Sequence, residues 1–183
     1  HFLWGSQGVL VSQEITDTNP MVNMRSSPQL VADGTGGIIV TWNDRRRILN
    51  REVFAQRFNS DGKALWTENG VWVWDIPSDY PKTAGIQGSN LVADGDGGAT
   101  TVWTGYDAQM WNSVIYAQKL SPDGQRLWPT EKLYSNSVFQ SQGNSGIVSD
   151  GKGGIIIGSR VGEARRISRT DSVYAQRIDS TGN

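Results

Sequence analysis

The chain has 183 residues, a formal net charge of −1, 19% charged residues, 22 Gly, 8 Trp and no Cys. That length suffices for one domain with a real core, while the absence of Cys removes disulfide and thiolate chemistry. No apolar run approaches the ~18 residues of a membrane-spanning helix, and the near-neutral balance argues against a nucleic-acid partner.

Gly, Trp and β-branched residues together predict short strands and tight turns. The chain opens "HFLWGSQGVLV" at 1–11, beginning with His1 rather than Met, and no signal segment is visible, so it reads as processed, excised or partial. At 27–45 it reads "SPQLVADGTGGIIVTWNDR", at 88–106 "GSNLVADGDGGATTVWTGY" and at 144–162 "NSGIVSDGKGGIIIGSRVG". Asp33, Asp94 and Asp150 align at spacings of 61 and 56 residues, and Gln56, Gln118 and Gln176 at 62 and 58. Gly62, Gly124 and Gly182 align likewise.

The first unit breaks into four strands. "QLVAD" is the first, "DGTGG" its hairpin turn with glycines supplying the positive φ, and "IIVTW" the second. "NDRRRILNR" is the outer connection, "EVFAQRF" the third strand, "NSDGK" a second turn, and "ALWTENGVWVW" holds the fourth strand. Four antiparallel strands per period of 40 to 60 residues predict a β-propeller blade; a β-sandwich is the alternative. The predicted fold is all-β, a single propeller or half-propeller over 1–183 with three blades at 27–87, 88–143 and 144–183.

The N-terminal "HFLWGSQGVLV" matches the fourth strand "KALWTENGVWV", and the C-terminal "YAQRIDSTGN" is a third strand with its turn. Residues 1–14 would therefore complete the last blade, as in rings closed by their first strand. Three blades do not easily close a ring. The expectation is self-association of two chains into six blades, or continuation in a longer chain.

The pattern "DGxGGxxVxW…VYAQRxxxxGxxLW" resembles a propeller repeat of secreted bacterial proteins, mostly uncharacterised, over nearly the whole chain. The resemblance implies a secreted or cell-surface module that binds glycan or protein. The third unit departs from it, with Ser159 at the position of Trp42 and Trp103, and Val161 at that of Asp44. "SDGKALW" and "SPDGQRLW" also resemble the Asp box of sialidase-type propellers, a turn that stabilises the fold away from the active site.

Chemistry has few candidates. The sole His is His1, so no Ser-His-Asp or zinc site is expected. Asp44, Glu52, Asp107, Glu163 and Asp171 are carboxylates without a motif, and the arginines cluster in the connections. "DRRR" (44–47) and "EARRISR" (163–169) read as solvated hairpin tips. Asp94 and Asp96 are thin calcium candidates, since calcium wants six to eight oxygens, and the Asp of each "DGxGG" is expected to cap its own turn. Alternation puts each recurring Gln on an apolar face, predicting a buried amide bonded to backbone. Trp4, Trp66 and Trp128 recur and are assigned to packing between blades, as are Trp42 and Trp103.

Trp72, Trp74 and Trp111 do not recur. With Tyr106, Asp107 and Asn112 they form the predicted ligand-binding set, since aromatic rings stack on sugars while amides and carboxylates bond hydroxyls. Trp72 and Trp74 are expected on one strand face. The functional expectation is a non-enzymatic binding or adhesion scaffold carried by the variable connections 43–51, 104–114 and 160–172. Its alternatives are a lectin and a sialidase-like hydrolase, the latter requiring a convergent arginine and carboxylate cluster. No cofactor beyond the possible calcium is expected.

Overall fold

The computed structural model describes residues 4–13, 25–46, 52–74, 86–106, 113–129, 146–162 and 171–183. Ten strands form three antiparallel sheets, and no helix occurs among the described residues. The first sheet holds β1 (Arg25–Ala32), β2 (Ile38–Asp44), β3 (Glu52–Phe58) and β4 (Val71–Trp72), in that order. The second holds β5 (Ile86–Ala93), β6 (Ala99–Tyr106) and β7 (Ser113–Leu120). The third holds β8 (Gly146–Ser149), β9 (Ile155–Gly162) and β10 (Asp171–Ile178). Among the described residues the expected fourth strand is present in the first sheet, as β4. In the second, Leu120 and Arg126 form an isolated bridge after β7, and residues 130–145 lie outside the described residues.

The first strand begins earlier than expected. In the first two sheets it runs through a register shift, between Ser26 and Gln29 and between Gln87 and Ser89. The residue at the shift has positive φ both times: Ser27 at 56° and Gly88 at 55°. One extra residue bends the strand and keeps its far half paired.

The "DGxGG" turn is fixed by its aspartate. Asp33 Oδ1 accepts the N–H groups of Thr35 and Gly37, each at 2.8 Å. Asp94 and Asp150 repeat the pattern on residues two and four further on. The last glycine is needed for space: a Cβ on Gly37 would lie 2.0 Å from the Phe58 carbonyl oxygen.

Asp33 is fully buried and paired to Arg57 at 2.8 Å. Burial alone would raise its pKa, but bonds from Thr35, Arg57 and Gly37 outweigh this and hold it well below the usual carboxylate range. A lowered folded-state pKa gives stability that is present above the unfolded value of about 3.9 and is lost as pH falls through the folded value. Denaturant midpoints measured from about pH 6 down to about pH 2.5 should therefore fall with acid, and Asp33→Asn should flatten that fall. An equally steep loss in the variant would contradict the assignment.

Gln56 and Gln118 behave as buried amides. The Trp66 N–H donates to Gln56 Oε1 at 3.0 Å, and Gln56 Nε2 donates to the Thr67 carbonyl at 2.8 Å. The Trp128 N–H donates to Gln118 Oε1 at 3.0 Å, and Gln118 Nε2 donates to the Trp128 carbonyl at 3.1 Å. The amide thus completes the sheet edge where the chain turns away to place a tryptophan. Gln176 differs: it is exposed, and its Nε2 donates to the Arg177 carbonyl. Gln118→Leu should lower stability by roughly 2–6 kcal/mol, since two buried backbone groups lose partners at roughly 1–3 kcal/mol each. An unchanged unfolding midpoint would refute the role.

The sheets are joined by a repeated contact. Trp66 follows the first sheet and lies over Gly124 of the second, where a Cβ would come 2.9 Å from its ring. Its Nε1 donates to the Pro122 carbonyl at 2.9 Å. Trp128 does the same to Gly182 and the Ser180 carbonyl at 3.0 Å. Trp4 does it to Gly62 and the Ser60 carbonyl at 2.8 Å, so the N-terminal segment stands to the first sheet as Trp66 and its successors stand to the second. Apolar clusters fill the gaps. One combines Ile39, Val53, Trp74, Trp103 and Tyr116, and the next combines Val102, Ile115, Trp128, Ile155 and Ile157.

Candidate functional site

Across the ends of β1, β2 and β3, the register aligns Arg25 with Asp44, and Asp44 with Glu52. Both acids are buried, at 0% and 1% exposure. The corresponding row of the second sheet is Ile86, Gly105 and Val114. In the third, Val161 pairs with Ser172. The other two sheets place no ionisable residue at this position, so among the described residues the charged row belongs to the first sheet.

Asp44 accepts from several donors. The Trp42 indole N–H reaches it at 3.0 Å, the Arg46 backbone N–H at 2.9 Å and Arg46 Nε at 2.8 Å. Arg25 Nε lies 3.3 Å away. Burial would raise the Asp44 pKa, but the bonds from Arg46 and Trp42 prevail and keep it below its ordinary value, so the carboxylate stays ionised. Arg46 also packs 4.0 Å above the Phe54 ring centroid and donates to the Asn69 carbonyl and to Ser12 Oγ, each at 2.8 Å. Arg25 Nη2 donates to the Gln13 carbonyl at 2.6 Å. Two cations and two carboxyl side chains thus converge where the N-terminal segment meets the first sheet.

For Asp44 and Arg46 this corrects the reading of "DRRR" as a solvated tip: Asp44 is sealed, and the Arg46 side chain is 12% exposed, while Arg47 lies outside the described residues. The charge run folds back because Asp44 is the last residue of β2 and points into the sheet's covered face. "EARRISR" lies outside the described residues.

Of the expected ligand set, the described residues include Trp72, Trp74 and the strand position of Tyr106. Trp72 is half-buried in β4 opposite Phe54, beside the cluster of Val40, Trp42, Phe54 and Phe58, with Arg126 5.8 Å above its ring. Trp74 is buried between the first and second sheets, 4.9 Å from the Tyr116 centroid and 5.6 Å from that of Trp103. The two do not share a face because β4 ends at Trp72, so strand alternation stops before Trp74. Tyr106 closes β6. Asp107, Trp111 and Asn112 lie outside the described residues, as does Glu163, while Asp171 opens β10. Asp94 spends Oδ1 on the N–H groups of Asp96 and Gly98, its own turn. No group of three or more metal-ligating side chains occurs among the described residues.

No family model matches the chain, and no curated protein matches it. Among solved structures, the crystal structure of endo-arabinase from Bacteroides thetaiotaomicron VPI-5482 is similar over 87% of this chain and 58% of its own, at 17% identity and a TM-score of 0.49. The chain thus spans less than two thirds of that enzyme. The similarity is to an enzyme, which runs against the expected non-enzymatic binding or adhesion scaffold. At this level the likeness assigns neither residue nor substrate.

Proposed function

We propose that the protein is a glycoside-processing enzyme of the two-carboxylate class, with its three sheets as consecutive blades of a β-propeller. The observation that carries the reading is the opposition of Asp44 and Glu52 in a row that the other two sheets build without charge. An apolar row is enough for the frame, and buried ion pairs add little net stability over well-packed apolar groups, so the charges ask for another reason.

Directly opposed residues on antiparallel strands have Cβ atoms about 4.5–5.5 Å apart. Retaining glycosidases use a pair of neighbouring carboxyl groups, one ionised and one acting as acid. Asp44, kept anionic by Arg46 and Trp42, is assigned the ionised role and its opposite neighbour Glu52 the acid role; both are buried, so the reading requires the end of the sheet to open to substrate. The propeller assignment is supported by the recurring tryptophan-on-glycine contact between successive sheets. Secretion, which the repeat's resemblance implies, accords with action on extracellular glycans.

The test is reducing-end release from a panel of plant and host polysaccharides. Release from one class of glycan is the expected outcome. Release from none, by folded protein, overturns the reading.

A further inference from the structure

The facing surfaces of the first and second sheets carry five sealed polar side chains with atoms that meet no hydrogen-bond partner among the described residues. Thr41 and Asn43 come from β2, Ser89 from β5, and Thr101 and Trp103 from β6, and none is more than 3% exposed. The atoms are Thr41 Oγ1, Asn43 Nδ2 and Oδ1, Ser89 Oγ, Thr101 Oγ1 and Trp103 Nε1. Strand alternation places Thr41 and Asn43 on the face of Ile39, and Thr101 on the face of Ala99 and Trp103. Ile39, Ala99 and Trp103 belong to one apolar cluster between these two sheets. Ser89 stands opposite Trp103 and so shares its face.

The join between the second and third sheets is built differently. Aligning the units on Trp42, Trp103 and Ser159 puts Val102 at the position of Thr41 and Ile157 at that of Thr101. Both are buried in the apolar cluster of that second join. The repeat therefore accepts an apolar side chain at either position, and a buried hydroxyl without a partner is less stable than an apolar group of the same shape. The polar set at the first join calls for a ligand, and its chemistry says which kind. None of the five side chains is charged, so no ion is called for. The indole and amide N–H groups only donate, the amide oxygen only accepts and the hydroxyls do both, so the ligand must both donate and accept. Burial of all five suits a molecule small enough to enter by slight parting of the sheets.

We propose that the seam between the first and second sheets is a water-binding site, in which ordered waters bridge Thr41 and Asn43 of β2 to Ser89, Thr101 and Trp103 of the second sheet. A buried water makes about three hydrogen bonds to groups that otherwise lack partners, so this set suits about two or three waters. They form part of the joint, doing at the first join what Val102 and Ile157 do by apolar contact at the second. Both faces of the seam belong to adjacent sheets of this chain, so the site depends on neither end of it. It is also independent of the enzyme reading.

The test pairs a crystal structure of the full chain, at a resolution that shows ordered water, with denaturant unfolding of Thr41→Val and Thr101→Val. Each substitution keeps the side chain's shape and removes its hydroxyl, and valine already stands at the first position in the second sheet, as Val102. The sign of the change separates a wet seam from a dry one. A hydroxyl that holds water is lost at a cost, so each variant should lower the folded-to-unfolded ratio by about fivefold or more. A bare buried hydroxyl is better removed, so a dry seam gives unchanged or raised stability. The expected structure shows waters within hydrogen-bonding distance of side chains from both sheets. Unchanged or raised stability in either variant overturns the proposal. So does a structure in which these side chains meet protein groups instead, or one with no water between the sheets.

Discussion

Trp66→Ala is expected to lower stability by about 3–5 kcal/mol, the range for truncating a large buried aromatic. Two losses combine in it. The indole is 7% exposed and packs against Gly124 of the following sheet, so its removal opens a void between sheets rather than within one. Its Nε1 also holds the Pro122 carbonyl, which Arg57 reaches as well. Trp128→Ala should cost a similar amount, because its contact with Gly182 and Ser180 is the same contact one sheet on. Denaturant unfolding of the two variants measures this. A loss below about 1 kcal/mol in either would mean that the sheets are held together by something other than this recurring contact.

Asp44→Ala is the second large effect. It removes the acceptor of the Trp42 indole and the Arg46 guanidinium and the ion-pair partner of Arg25, leaving cations beside an emptied buried position. Removing one partner of a buried pair costs about 3–5 kcal/mol, mostly through the charge left behind. Asp44→Asn keeps an acceptor for the indole and should cost less. The ordering of Ala below Asn below the parent, read as thermal midpoints, is the expected result. Equal stability of all three would show that the row carries no buried charge interaction.

The parts of the fold that recur were legible because a repeat states its own alignment. Gln56, Gln118, Trp66, Trp128 and the three turn aspartates stand in the roles their positions predicted, since each role depends on a few neighbours that recur with it. What was not legible depended on local departures. The shift at Ser27 hid the first half of β1, because a serine at positive φ gives no sequence signal; the glycine at the matching position, Gly88, was the one available clue. Trp72 and Trp74 were assigned one face on strand alternation that stops between them. Asp44 was read as solvated from the charge run behind it. The clue lay in comparing units, where Gly105 and Val161 occupy the position of a carboxylate.

The measurement that bears most directly on the account is the turnover number of Glu52→Gln on the glycan that the parent chain cleaves best. Loss of a positioned acid costs about 10²–10⁴-fold in rate. The account predicts at least a hundredfold fall in kcat, with KM and the thermal midpoint close to those of the parent chain. An unchanged kcat in a folded Glu52→Gln variant would contradict it and remove the charged row of the first sheet from the chemistry.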